Sequence, residues 1–303
     1  MLTDLKNIRG SLSLKKPLAE YTSWRVGGAA DYLYVPADLE DLASFLSQLP
    51  NHIPLLWLGL GSNVLIRDGG IEGAVIVTQG ALNQIVQRDT KLIRAEAGVS
   101  CAQFARYTAR LGLTGAEFMA GIPGTVGGAL AMNAGCYGGE TWQRVHQVET
   151  IDRFGKIHLR NAHEFEVAYR HVKRLPDEWF LSGHFALALG DKAKALQDIK
   201  SLLEKRNAAQ PTGLPNCGSV FRNPPGKYAG QLIECSGLKN AAIGGAYVSP
   251  KHANFIINGG SASAADIEGL IAHVRETVLK EQGIDLMPEV CIMGKPIDSD
   301  PHF

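Results

Sequence analysis

The sequence GLGSN at residues 59–63 and the sequence GIPGTVGG at residues 121–128 decide the fold class of this chain. Residues without a Cβ can turn through positive φ and let successive N–H groups converge on an anion. Together the two loops predict a divided cradle for the diphosphate of a large cofactor, which favours a dinucleotide enzyme. The first loop taken alone fits a tight turn equally well, because short glycine patterns are weak evidence, and the second loop favours the cradle.

The surroundings of the first glycine loop exclude a Rossmann dinucleotide site. Apolar runs at residues 54–58 and 64–66 predict a strand on each side of the loop. A Rossmann fingerprint needs G-x-G-x-x-G opening a helix, whereas here no third glycine falls in register.

Composition sets the outer limits on the class of protein. The 303 residues are 45% hydrophobic and 20% charged, which is enough to bury more than one core. Thirty basic residues balance thirty acidic ones, so charge gives no argument for a nucleic-acid or membrane partner. No signal peptide or membrane span is predicted, which indicates a cytoplasmic protein.

The cysteines and histidines do not form a recognisable metal or disulfide pattern. The five cysteines are odd in number and include no C-x-x-C pair. We therefore expect reduced thiols, mostly packed in the interior. The nine histidines do not cluster, and no metal site is predicted.

Three sections of the chain, residues 1–80, 81–209 and 210–303, differ in pattern. The boundary at residue 210 is marked by QPTGLPN, which cannot sustain a helix or a central strand. Serines at positions 100 and 263 have the spacing of helix N-caps. Strands are predicted at 31–35, 54–58, 64–66, 92–97, 147–152, 156–159, 179–189 and 253–258, and helices from 39, 101, 192 and 264.

Three further residues are possible catalytic groups, and the pattern around each leaves an alternative open. Ser219 follows the connector but lacks a G-x-S-x-G elbow, so a turn serine is the simpler interpretation. Glu289 stands beside apolar residues and is either paired, raised in pKa by burial, or solvated at a strand end. Arg170 can clamp a carboxylate or lie exposed at a strand edge.

Ordered motifs along nearly the whole chain resemble the UDP-N-acetylenolpyruvoylglucosamine reductase family, flavoenzymes of bacterial peptidoglycan synthesis. The resemblance rests on both glycine loops and on TSWRVGG at 22–28, MNAG at 132–135, YR at 169–170, GSVF at 218–221, AGQLIE at 229–234, GGA at 244–246 and PEV at 288–290. The short spacing between Arg170 and Ser219 resembles the second subtype of that family. Val172 stands where the family usually has serine, and Ala209 where relatives often carry a lysine that contacts the substrate's diphosphate.

The resemblance implies an α+β fold. Residues 1–80 and 81–209 would form a two-part FAD-binding region of the vanillyl-alcohol-oxidase type, followed by an α/β substrate-binding domain at 210–303 with a C-terminal tail. The activity implied is NADPH-dependent reduction of UDP-N-acetylglucosamine enolpyruvate to UDP-N-acetylmuramate through bound FAD, and so a part in cell wall biogenesis, cell shape and cell division. We expect a monomer with noncovalent FAD, although Cys136 lies close enough in sequence to the second loop to leave a tether open.

Site residues follow from the resemblance, position by position. The implied catalytic residues are Arg170, Ser219 and Glu289. The implied substrate contacts are Tyr169, Arg206, Gln210 and Asn223. The implied FAD contacts are Gly59, Gly61, Ser62, Asn63, Gly121, Pro123, Gly124, Thr125, Gly127, Gly128 and Asn133.

The implied chemistry explains why these residue types are wanted. Hydride addition at the terminal vinyl carbon pushes negative charge onto the neighbouring carbon and its carboxylate. Arg170 and a protonated Glu289 would stabilise that charge, and Ser219 would supply the proton. Two alternatives remain open: a related oxidase that passes hydride to oxygen, and a binding module that has lost catalysis.

Overall fold

The computed structural model describes residues 5–297. Within these residues the backbone forms six α-helices: α1 (Leu39–Gln48), α2 (Cys101–Arg110), α3 (Val126–Met132), α4 (Lys192–Ala209), α5 (Ala229–Cys235) and α6 (Ala264–Gln282). Short 3₁₀ helices cover Ala19–Tyr21, Glu117–Gly121, Thr141–Gln143 and Ala162–Glu164. None of the helices described is both long enough and apolar enough to cross a bilayer.

Twenty strands complete the secondary structure of residues 5–297. They are β1 (Ser11–Pro17), β2 (Ala29–Val35), β3 (Leu55–Leu58), β4 (Val64–Ile66), β5 (Ile71–Val77), β6 (Ile85–Asp89), β7 (Leu92–Glu96), β8 (Leu113–Thr114), β9 (Gly135–Cys136), β10 (Gly139–Glu140), β11 (Val145–Asp152), β12 (Ile157–Asn161), β13 (Glu166–Ala168), β14 (His171–Lys173), β15 (Glu178–Ala186), β16 (Ala188–Leu189), β17 (Ala242–Ile243), β18 (Ala246–Val248), β19 (Ile256–Asn258) and β20 (Cys291–Met293).

The described chain forms two compact units, each assembled from separated stretches. Unit 1 contains residues 5–13, 32–60 and 73–206, and unit 2 contains residues 14–31, 61–72 and 207–297. The last change of unit along the chain falls between residues 206 and 207, and the domain boundary expected near residue 210 stays a prediction. The boundary predicted at residue 80 does not separate compact units, because Leu42 and Phe45 share one core with Ile151 and Leu181.

Unit 1 is built on a five-stranded antiparallel sheet of order β12–β11–β15–β7–β6. Helices α2 and α3 contribute to the core beside this sheet, where the rings of Phe104 and Phe185 lie 4.5 Å apart. A second core in the same unit lies under α1, whose Phe45 stacks on Tyr34 at 3.9 Å. Strand β3 pairs in parallel with β5 there, and it ends at Leu58, immediately before the first glycine loop.

Unit 2 has a three-stranded antiparallel sheet, β17–β18–β19, and a parallel pair formed by β4 and β20. Helix α6 buries the apolar face that the sequence predicts, and Ser263 caps it with Asp266 in a reciprocal capping box. Trp24 is fully buried in the same core, where its Nε1 donates to the Ile256 carbonyl at 2.8 Å. Strand β4 directly follows Asn63, and β20, its parallel partner, begins two residues after Glu289.

Most of the elements predicted from the sequence are confirmed, and the exceptions have local causes. Helix α3 begins inside the second glycine stretch, where two glycines hide a helix from periodicity. Helix α5 has only seven residues, too few for a clear amphipathic pattern. None of the five cysteines, all of which lie within residues 5–297, forms a disulfide, but Cys235 and Cys291 are exposed, so the expectation of mostly packed thiols is wrong for these two.

Candidate active site

The first glycine loop connects β3 to β4, and no helix follows it. This confirms that the loop is not a Rossmann fingerprint. Gly61 has a φ of 64°, and a Cβ placed there would lie 2.1 Å from the Tyr21 carbonyl oxygen. The Gly61 carbonyl accepts from the main-chain N–H and the hydroxyl of Ser23, both at 3.0 Å. Glycine is therefore required here both by conformation and by space.

The main-chain amides of this loop fit an anionic ligand. Among residues 5–297, no acceptor is paired with the N–H of Gly59, Leu60, Gly61 or Ser62. Consecutive N–H groups without internal acceptors are the donors that an anion-binding nest uses. The loop is therefore suited to the diphosphate of a dinucleotide cofactor such as FAD.

The second glycine loop contributes differently from the sequence expectation. The N–H groups of Gly124, Val126 and Gly127 donate to main-chain carbonyls of the protein at 2.8–2.9 Å. The predicted nest is therefore not formed by these three amides, because they are already satisfied. Thr125 is 2% exposed and caps α3, and its Oγ1 would lie 2.3 Å from a Cβ on Gly59. Within unit 1 the two glycine loops thus meet at Gly59 and Thr125.

Arg170 occupies the turn of a two-residue hairpin between β13 and β14, which closes with the pair Ala168 and His171. Its φ is 53°, a left-handed conformation that is unfavourable for a residue with a Cβ. The guanidinium lies 5.0 Å from the ring centroid of Tyr169, and its Nη2 donates to the Gly135 carbonyl at 2.6 Å. The predicted substrate contact Tyr169 and the predicted catalytic Arg170 therefore lie against each other in the same turn.

A second arginine approaches the same region of unit 1. Burial raises the pKa of the Cys136 thiol to about 11, against the opposing positive charges of Arg170 and Arg206. Arg206 also opposes the raised pKa of Tyr137, which burial causes. The structure thus brings Arg206, near the end of α4, and Arg170 close to Cys136. Two guanidiniums there are suited to an anionic substrate.

In unit 2, Ser219 and Glu289 lie on adjacent antiparallel segments. The Glu289 N–H donates to the carbonyl of Val220 at 2.7 Å, and Phe221 bridges to Pro288. Both side chains are half-buried. Burial raises the pKa of Cys217 well above its ordinary value, and the electrostatic interaction with Glu289 raises it further. The Glu289 carboxyl therefore lies close to the segment that carries Ser219.

Two asparagines hold these segments in place. Asn63, at the end of the first glycine loop, donates through Nδ2 to the Glu289 carbonyl at 3.0 Å. Asn254 is 3% exposed, and its amide both accepts from and donates to the main chain of Phe221, at 3.0 and 2.8 Å. Sequence analysis missed Asn254. Its signal was a polar residue inside an apolar strand pattern, which predicts a buried hydrogen-bonding role.

The other two predicted substrate contacts also lie in unit 2. Asn223 is exposed, and its Oδ1 accepts from the N–H of Ala229, the first residue of α5. Gln210 is half-buried just after α4. The structure therefore places Gln210, Ser219, Asn223 and Glu289 in one unit, and Tyr169, Arg170 and Arg206 in the other.

Comparisons with known proteins decide the family. The model of the UDP-N-acetylenolpyruvoylglucosamine reductase C-terminal domain matches residues 210–293, and that of an FAD binding domain matches residues 30–159. The UDP-N-acetylenolpyruvoylglucosamine reductase of Legionella pneumophila (strain Corby) is 60% identical over 287 residues, covering 94% of this chain and 93% of that protein. The chain belongs to the UDP-N-acetylenolpyruvoylglucosamine reductase family.

Other relatives and solved structures agree with this assignment. The enzyme of the same name from Coxiella burnetii (strain Dugway 5J108-111) is 53% identical, over 95% of this chain and 97% of that protein. The crystal structure of UDP-N-acetylenolpyruvylglucosamine reductase from Thermus caldophilus has a TM-score of 0.80 at 31% identity, covering 94% of this chain and 99% of that one. 6-Hydroxy-D-nicotine oxidase from Arthrobacter nicotinovorans has a TM-score of 0.55 at 14% identity, over 92% of this chain and 87% of that one, a likeness of fold alone. The predicted fold class is confirmed.

Proposed function

We propose that Arg170, Ser219 and Glu289 are the catalytic residues for the reduction of UDP-N-acetylglucosamine enolpyruvate to UDP-N-acetylmuramate. The chain is an FAD-dependent oxidoreductase of peptidoglycan precursor synthesis, with NADPH as electron donor. When bound, FAD supplies the hydride carrier between NADPH and the vinyl group of the substrate. The observation that carries the proposal is the main-chain bond between Glu289 and Val220, which holds Glu289 beside Ser219.

The assigned residues match the charge that develops on the substrate. Once the terminal vinyl carbon has gained a hydride, negative charge spreads over the neighbouring carbon and its carboxylate. Arg170 would hold that carboxylate by charge-assisted hydrogen bonds. A protonated Glu289 would donate a hydrogen bond to the same group, and Ser219 would protonate the carbon.

Binding contacts follow the same logic. We infer that Tyr169, Arg206, Gln210 and Asn223 bind the sugar nucleotide, with Arg206 near its anionic groups. For FAD, the amides of the first glycine loop contact the diphosphate, and Asn63 orders the end of that loop. Thr125 and the remaining glycines of the second loop shape the wall next to Gly59. The monomeric state and cytoplasmic location predicted from the sequence stay predictions.

Replacing Ser219 with alanine tests the assignment. Since Ser219 acts only after hydride has reached the substrate, flavin reduction by NADPH should proceed at the wild-type rate in Ser219→Ala. Flavin reoxidation by the sugar nucleotide should slow by roughly 10²–10⁴-fold, the usual contribution of a positioned acid. Anaerobic stopped-flow absorbance measures both half-reactions.

The control is Ser236→Ala, which removes a half-buried hydroxyl elsewhere in unit 2. It should leave both rates unchanged. Equal slowing of the two half-reactions in Ser219→Ala would contradict the role of Ser219 as proton donor.

A further inference from the structure

The turn that carries Arg170 needs support from its surroundings. Only Tyr169 and Arg170 separate the last pair of the hairpin, and Arg170 adopts a φ of 53°. A residue with a Cβ keeps such a conformation only where neighbouring groups determine it. The groups that meet this hairpin therefore control where the guanidinium points.

A buried residue, Asn133, forms a hydrogen bond with the hairpin. Its side chain is 1% exposed, and its Nδ2 donates to the Ala168 carbonyl at 3.1 Å and to Oε2 of Glu140 at 2.9 Å. Its Oδ1 accepts from the main-chain N–H of Trp142 at 3.1 Å. Two of these partners only accept and one only donates, so a single orientation of the amide satisfies all three.

The same segment also holds the guanidinium itself. Two residues after Asn133, the Gly135 carbonyl accepts from Nη2 of Arg170 at 2.6 Å. Gly135 pairs with Glu140 across β9 and β10, and Glu140 is the residue that Asn133 contacts. Asn133 and Glu140 therefore fix the backbone of the hairpin at Ala168 and the acceptor of the arginine at Gly135.

We propose that Asn133 is a positioning residue for Arg170, acting through the hairpin and not through the cofactor contact predicted from the sequence. This inference rests on the catalytic role proposed for Arg170. The side chain of Asn133 is buried, and its polar atoms bond to three protein groups. Asn133 also has a φ of 46° after α3, which asparagine tolerates better than most residues.

Asn133→Asp tests the proposal, because it keeps the size and backbone preference of asparagine but removes the Nδ2 donor. We expect flavin content and flavin reduction by NADPH to stay within about twofold of wild type. Flavin reoxidation by the sugar nucleotide should slow by roughly 10–100-fold, as a misplaced catalytic group does. Calorimetric titration of the oxidised enzyme should show weaker binding of the sugar nucleotide. Asn51→Asp, at an exposed position of unit 1, is the matched control and should change none of these.

A double-mutant cycle shows whether Asn133 acts through Arg170. In an Arg170→Ala background, Asn133→Asp should slow reoxidation no further. An additional slowing, or equal slowing of the NADPH half-reaction, would overturn the proposal. If Asn133→Asp fails to fold, Glu140→Gln serves instead, because it weakens the bond between Asn133 and Glu140. It should slow reoxidation by a smaller factor and leave flavin reduction by NADPH unchanged. Wild-type reoxidation in Glu140→Gln would overturn the proposal.

The outcomes separate this inference from the proposed function. Wild-type reoxidation in Arg170→Ala would refute the catalytic role of Arg170 and the inference with it. Slow reoxidation in Arg170→Ala, together with normal reoxidation and sugar-nucleotide binding in Asn133→Asp, would refute the positioning role alone.

Discussion

At the scale of single residues, Gly61 is the position in the first glycine loop most restricted to one amino acid. Its φ of 64° is accessible to glycine without penalty, and the Tyr21 carbonyl stands 2.1 Å from the place of a Cβ. Gly80 offers a direct comparison, since its φ is 77° but no atom lies within 4 Å of a Cβ there. The two glycines therefore separate the cost of the backbone conformation from the cost of steric overlap.

We predict that Gly61→Ala abolishes flavin binding while Gly80→Ala does not. Gly80→Ala should lower the free energy of unfolding by about 1–2 kcal/mol, because it places a Cβ in the left-handed region, and Gly61→Ala should lower it by more because of the added steric overlap. Only Gly61→Ala must also displace the loop whose amides bind the diphosphate. Visible absorbance of the purified variants measures flavin content, and urea unfolding measures stability. Full flavin content in Gly61→Ala would contradict the role of this loop.

At the scale of elements, three strands of the five-stranded sheet are joined by a buried ion network. Arg94 on β7 contacts Glu149 on β11 at 2.9 Å through Nε, and His184 on β15 contacts the same carboxylate at 3.1 Å. Burial disfavours ionisation of Glu149, but hydrogen bonds from His184 and Arg94 and the charge of Arg94 together hold its pKa well below the ordinary value. The carboxylate is therefore charged in the folded state at every moderately acidic pH.

This network predicts how stability depends on pH. In the unfolded state Glu149 has the ordinary glutamate pKa of about 4.3 and takes up a proton as the pH falls through that value. In the folded state the carboxylate stays ionised there. The contribution of Glu149 is therefore fully present above that pH and is lost as the pH falls below it. Urea unfolding between about pH 7 and pH 3 should show a steeper loss for wild type than for Glu149→Gln.

Glu149→Gln should also cost about 3 kcal/mol at neutral pH, since it removes a partner from the buried Arg94. Glu166→Gln is the control, because Glu166 pairs with Lys173 at the surface and should contribute less than about 1 kcal/mol. Identical pH profiles for wild type and Glu149→Gln would show that the network does not carry the acid sensitivity.

At the scale of the whole molecule, the sequence predicted the fold class and the family. It did not predict that residues 61–72 belong with the C-terminal unit, because the pairing of β4 with β20 joins positions more than two hundred residues apart. Long-range pairing leaves no periodic signal in either segment. The local pattern left the roles of Ser219 and Glu289 open and only the family resemblance implied catalysis, whereas the main-chain bond that places their segments together came from the structure.

The noncovalent state of the flavin is a prediction about the whole protein. Cys136 is the cysteine nearest the second glycine loop, and burial raises its pKa to about 11 despite two nearby arginines. Its thiol also donates to the Phe118 carbonyl at 3.0 Å. A protonated, engaged thiol is a poor nucleophile. Denaturation followed by filtration should therefore release all the flavin, and flavin retained with the protein would contradict this prediction.

The central claim is that this chain carries hydride from NADPH to the enolpyruvyl sugar nucleotide through bound FAD. Its most direct test is the visible spectrum of the purified protein under anaerobic conditions, recorded before and after addition of one equivalent of NADPH and then of the sugar nucleotide. The account predicts a flavin spectrum that bleaches with NADPH and returns with the sugar nucleotide, as UDP-N-acetylmuramate forms. A bleached flavin that stays bleached with the sugar nucleotide and returns only when oxygen is admitted would contradict it.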